Sequence, residues 1–98
     1  MNLVAITACP TGIAHTYMAA EQLEKTARSL GHSIKVETQG AMGIENELSQ
    51  DEIDAADAVI IAADIALEQA DRFDNARQIV VTVQEVIKNP VGVFEKAL

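Results

Sequence analysis

The chain has 98 residues, 49% of them hydrophobic and 22% charged, which suits one compact domain, residues 1–98, around one core. Fifteen Asp plus Glu against 7 Lys plus Arg give a net charge of -8, removing the basic footprint that nucleic acid or an anionic lipid surface would need. The longest apolar stretch, Ala58 to Ala63, is far short of the roughly 20 residues of a membrane span, no basic n-region precedes Leu3 to Ile6, and the single cysteine, Cys9, excludes internal disulfides and a cysteine-clustered zinc site, so a cytoplasmic chain with no membrane insertion is expected.

Leu3 to Ala8 is a near-continuous apolar and β-branched run, the pattern of a central strand covered on both faces of a parallel sheet. From His15 to Leu30 the period changes, and Tyr17, Ala20, Leu23, Ala27 and Leu30 form one helical stripe. Tyr17 is therefore expected in the core with Phe73 and Phe94 as companions, and Gly31 as the helix C-cap. Ser33 to Thr38 alternates Ile34 and Val36 with Lys35 and Glu37, which predicts a strand near an edge with one side solvated. Gln39 to Gly43 reads as a loop with two permissive glycines. Ser49-Gln50-Asp51-Glu52 has the form of a capping box and predicts a short helix to about Ala56.

Ala58 to Ala63 and Gln78 to Thr82 read as two further strands, separated by an irregular or briefly helical Asp64 to Ala76. Asn89-Pro90 supplies a cap and a first-turn proline for a last helix through Leu98. This alternation predicts an α/β three-layer sandwich: a four-stranded parallel sheet in the order 2-1-3-4, with right-handed crossovers and helices on both faces.

In an open parallel sheet, ligands bind at the carboxyl ends of the strands, next to the point where strand order reverses. Here that point lies between the first and third strands, and Cys9 directly follows the first. Pro10, Thr11, Gly12, Ile13 and Ala14 carry the chain into the first helix, so the thiol faces a helix start, where free amides and the positive dipole end stabilise a thiolate or a phosphoryl group. The plain alternative is a small buried hydrophobe, as most free cysteines are. Gly12 permits close backbone approach to a tetrahedral anion, while Thr11 and Thr16 each read equally as hydroxyl donors or as helix caps.

His15 stands where the Cys-x5-Arg loop of protein tyrosine phosphatases carries its arginine. Without that bidentate clamp a phosphatase reading is weakened, and His15 reads either as a donor to the bound anion or as a first-turn residue. Asp64, ending the third strand, lacks the acidic cluster that would make it a metal-assisted phosphate acceptor, and is expected as a turn or cap residue. His32 is expected at the surface beside the helix C-terminus, and Glu45, Glu47, Asp51, Glu52 and Asp54 as a solvated face. No metal site and no cofactor are expected.

The run from Thr7 through Cys9-Pro10-Thr11-Gly12-Ile13-Ala14-His15-Thr16 to Glu21 closely resembles the enzyme IIB component of the fructose class of sugar phosphotransferase systems. The likeness continues through Lys35 to Gly40, Ala62 to Ile65, Asp71-Arg72-Phe73 and Glu95 to Leu98, and so covers essentially the whole chain. The resemblance implies a bacterial cytoplasmic phosphocarrier with the same α/β fold, in which Cys9 takes a phosphoryl group from a phosphohistidine of enzyme IIA, and Pro10 to Thr16 form the phosphate-binding loop. It also implies that the group passes to a fructose or fructose-like sugar bound by the membrane enzyme IIC. A small cysteine-dependent phosphatase and a non-catalytic regulatory module are the competing readings. Absence of a clamping arginine suits a carrier, which must form its adduct without completing hydrolysis.

Overall fold

The computed structural model describes residues 1–9, 13–40 and 43–97, with no side-chain description for residue 13. In chain order the elements are β1 (Asn2–Ala8), α1 (Ile13–Leu30), β2 (Ser33–Gly40), β3 (Gly43–Glu45), α2 (Gln50–Ala55), β4 (Ala58–Ala63), a 3-10 turn (Ala70–Phe73), β5 (Gln78–Val81), α3 (Val83–Lys88) and α4 (Pro90–Ala97). Among the described residues the sheet has five strands in the order β3-β2-β1-β4-β5. β1 pairs in parallel with β2 on one side and β4 on the other, and β4 with β5.

The four expected strands take their expected order, but the expected four-stranded, all-parallel sheet is corrected by β3, which pairs antiparallel outside β2. Its three residues are too few to show a period, and the glycine-bearing loop reading absorbed both Gly43 and the end of β2. α3 is likewise absent from the sequence reading. It is a six-residue helix capped by Thr82, whose hydroxyl accepts from the Glu85 amide at 3.0 Å, so Thr82 is a cap and not the last strand residue.

Strand alternation sends Leu3, Ala5, Val36, Ile60 and Val81 to one face, where α1, α3 and α4 cover them together with Phe94. Val4, Ile6, Val59 and Ile61 face the other way and pack on Ile53 of α2, Leu48 and Phe73. The three layers are thus as expected, and Phe73 and Phe94 are buried on opposite faces. Tyr17 is a correction: it is 38% exposed, and Leu30 is exposed too. The buried side of α1 consists of Thr16, Ala19, Ala20, Leu23, Thr26 and Ala27. Small residues let the helix lie close on the sheet, and an apolar count overlooks the two threonines. Tyr17 projects at the flank, where its hydroxyl donates to Glu45.

Local chemistry ends the elements as read. Gly31 has φ +78, the left-handed C-cap conformation, and the following His32 amide donates to the Ala27 carbonyl at 2.9 Å. Ser49 and Glu52 complete both halves of the capping box. Asn89 Oδ1 accepts from the Gly92 amide at 3.2 Å at the head of α4. At the amino edge of the sheet the Met1 carbonyl accepts from Ser33 at 3.0 Å, and Arg77, just before β5, donates to the Ala97 carbonyl.

Candidate functional site

Cys9 follows β1 directly, at the carboxyl edge. The register sets Gln39 of β2 and Ala63 of β4 on either side of Ala8, and the Asp64 amide donates to the Ala8 carbonyl at 3.1 Å. Cys9 is partly buried and packs against the core cluster on the α1 face. Three candidate loop residues, Pro10, Thr11 and Gly12, lie outside the described residues, as do Ala41 and Met42.

The helix that follows begins at Ile13 and runs 18 residues with no acidic residue in its first turn, so no side-chain carboxylate there offsets its positive end. Ala14 and His15 are exposed in this turn. Thr16 is 1% exposed and its Oγ1 has no hydrogen-bond partner among the described residues, which is costly for a buried hydroxyl. Its carbonyl accepts from the buried Thr7 hydroxyl at 3.1 Å, pinning the start of α1 to β1. Thr16 lies inside α1, so of the two readings left open the cap is ruled out.

On the opposite face the structure holds a polar cluster that the sequence reading placed in solvent. Glu37 is fully buried. Arg72 grips it with both terminal nitrogens at 2.9 Å, and it accepts further bonds from the Leu48 amide and Gln39 Nε2, both at 2.8 Å. Burial pushes the Glu37 carboxyl up, but the bonds from Arg72, Leu48 and Gln39 outweigh it and hold the group below the ordinary carboxylate range. Arg72 also donates to the Leu48 and Gln69 carbonyls and lies 4.8 Å from the Phe73 ring centre. Only a long-range pairing could have revealed this: alternation alone sends a charged strand residue outward.

The remaining candidates are surface features. Asp64 sits exposed in the bend after β4. His32 is half-buried, against the expected surface position, because its ring stacks on Phe94 at 6.1 Å while Nδ1 lies 2.9 Å from the Met1 amine. Glu45, Glu47, Asp51 and Asp54 are exposed as read, but Glu52 is half-buried and bonded to Lys35 at 2.9 Å. No group of three metal-ligating side chains occurs among the described residues, and no helix there is long and apolar enough to cross a membrane.

Fold and site together define an α/β domain that presents its one cysteine at the carboxyl edge of a mostly parallel sheet, ahead of a helix whose first turn carries no acidic residue. Residues 4–96 match the family model described as "PTS system, Lactose/Cellobiose specific IIB subunit". The chain is 51% identical, over 98% of its length, to the fructose-like PTS system EIIBC component of Escherichia coli K12, of which it spans 20%. It is 43% identical over 97% of its length to the E. coli K12 PTS system fructose-like EIIB component 2, covering 90% of that protein. The crystal structure of a predicted fructose-specific IIB from E. coli superposes with a TM-score of 0.93 at 41% identity, covering 98% of this chain and 85% of that one.

The chain therefore belongs to the IIB family of the phosphotransferase system, and its likeness is to the fructose-like members: it is a phosphoryl-carrier domain of a phosphotransferase.

Proposed function

We propose that Cys9 is the phosphoryl acceptor, loaded by a phosphohistidine of enzyme IIA and unloaded, on the cytoplasmic side, onto a fructose or fructose-like sugar held by membrane enzyme IIC. In the first step the Cys9 thiolate attacks phosphorus. An S–P bond forms, the P–N bond breaks, and its electron pair returns to the histidine nitrogen. In the second, a sugar hydroxyl oxygen attacks phosphorus. An O–P bond forms, the S–P bond breaks to restore the thiolate, and the hydroxyl proton leaves to a base at the sugar site. Both transfers depend on positioning and on stabilising the equatorial oxygens.

The observation that carries the reading is the lone thiol between the end of β1 and a helix whose first turn contains no carboxylate. The orphaned Thr16 hydroxyl adds a buried donor in the same turn region, fitting an anion that would satisfy it. In this reading the phosphate-binding stretch is Pro10, Thr11 and Gly12 together with the first turn of α1, Ile13 to Thr16, which the sequence had counted as loop and in which His15 is exposed. The sugar is inferred from the relatives, since the family model is described by lactose and cellobiose and the relatives by fructose.

The test is incubation with a phosphorylated IIA domain followed by intact-mass analysis. One phosphoryl group per chain is expected, and none on Cys9→Ser. Sugar phosphate is expected only when membranes containing IIC are added. Product in the membrane-free mixture, or turnover of an aryl phosphate by the chain alone, would overturn the carrier reading.

A further inference from the structure

Gln39 is 7% exposed, and both hydrogens and the oxygen of its carboxamide are bonded. Nε2 donates to Glu37 Oε2 at 2.8 Å and to the Glu68 carbonyl at 3.1 Å, and Oε1 accepts from the Glu68 amide at 2.9 Å. The Glu37 carboxylate, which only accepts, fixes which end of the amide carries the hydrogens. The side chain therefore imitates one rung of a strand ladder. It reaches from β2 to the segment after β4, and the strand between them is β1. Gln39 is the register partner of Ala8, the residue before Cys9.

The same segment is fixed at two further points. The Asp64 amide holds the Ala8 carbonyl at 3.1 Å, and Arg72 Nε holds the Gln69 carbonyl at 2.9 Å. Gln69 has φ 57, a left-handed conformation that a non-glycine residue keeps only when its surroundings hold it there. Residues 64–69 are thus tied down at a first residue bonded to β1 and at the last two, Glu68 clasped by Gln39 and Gln69 bonded to Arg72 of the Glu37–Arg72 pair.

We propose that Gln39 is a positioning residue for phosphoryl transfer: by clasping Glu68 across the end of β1 it holds residues 64–69 as a fixed wall of the Cys9 site, on the face opposite α1. The inference rests on the carrier reading above. It assigns Gln39 no contact with the phosphoryl group. Its effect is preorganisation, so that the acceptor thiol and the incoming donor meet in one geometry.

Gln39→Met keeps the length and removes every bond. Glu68 is exposed and can turn to water, and Glu37 keeps Arg72 and Leu48, so the fold survives. The experiment is single-turnover loading from a phosphorylated IIA domain, read by rapid quench, with amide hydrogen exchange on the same proteins. The expected result is an amplitude still at one phosphoryl group per chain, a rate constant lower by about tenfold, and faster exchange at Glu68 with Leu48 still protected. Amplitude reports the folded, competent fraction and the rate constant reports geometry, so a general folding defect would lower the first. An unchanged rate constant despite faster Glu68 exchange would overturn the proposal, as would a slower rate with Glu68 exchange unaltered. A wild-type chain that takes no phosphoryl group would overturn the carrier reading and the proposal with it, whereas normal loading of both proteins at one rate would overturn the proposal alone.

Discussion

Arg72→Met should be among the most destabilising single changes away from the core, because it leaves the carboxylate of Glu37 buried without its cation. The Glu37 side chain is fully buried and that of Arg72 is 11% exposed, so solvent screens the pair little. Removing one partner of such a pair costs about 3–5 kcal/mol, and loss of the guanidinium over Phe73 contributes within that figure. At about 4 °C or more per kcal/mol for a domain of this size, Tm should fall by at least about 12 °C. The pH dependence has a definite sign. In the wild type Glu37 is held below its ordinary range, so its contribution is present above that range and fades as pH falls through it. In Arg72→Met burial prevails, the folded carboxyl takes up a proton more readily than the unfolded one, and acid relieves the penalty. The stability gap between the two proteins should therefore narrow from pH 7 towards pH 4, and adding Glu37→Gln should restore part of the loss at neutral pH. Urea titrations across that range measure this. A cost below about 1 kcal/mol, or a gap that widens in acid, would refute the reasoning.

Cys9→Ser should abolish loading while leaving circular dichroism and melting nearly unchanged, and normal transfer by the serine variant in a reconstituted assay would refute its assignment. Gly12→Val should lose most phosphoryl acceptance and His15→Ala clearly less, since a β-branched side chain crowds an amide cradle. Equal losses in initial-rate assays would give His15 an essential chemical role. Ser49→Ala should lower Tm by about 4–8 °C, the scale of one lost N-cap. Glu52, held down at about 2 from the ordinary 4.5 first by Lys35 and then by the Ser49 amide, should contribute stability above about pH 4.5 that is lost as pH falls towards 2. Lys35→Met should flatten that acid limb in thermal melts.

Some of the molecule can be read from neighbours in sequence. Ala58 to Ala63 is bounded as its apolar run is, and Ser49 to Glu52 and Asn89-Pro90 announce helix starts because a cap oxygen and the amide that donates to it lie within one turn. The placement of Cys9 is legible for the same reason: a strand end, a thiol and a helix start follow one another in the chain. Tyr17 misleads because its ring counts as apolar although its hydroxyl is satisfied at the surface by Glu45. Glu37 misleads because its partner, Arg72, is 35 residues away and no local period encodes a buried charge. β3 and α3 are short enough that pairing and packing, rather than their own patterns, create them.

The hydrogen bonds of Met1 with Ser33, and of Arg77 with Ala97, put both ends of the described fold at the edge of the sheet away from Cys9, separated from it by the length of β1, about 20 Å of strand. Any tether joined at either end would thus pull from behind, leaving the edge that carries Cys9 to face outward. On the carrier reading proposed above, a domain hung this way within a longer polypeptide can swivel on its leash and offer the same thiol first to a donor and then to an acceptor. Covalent attachment would then raise the local concentration of the cysteine without covering it.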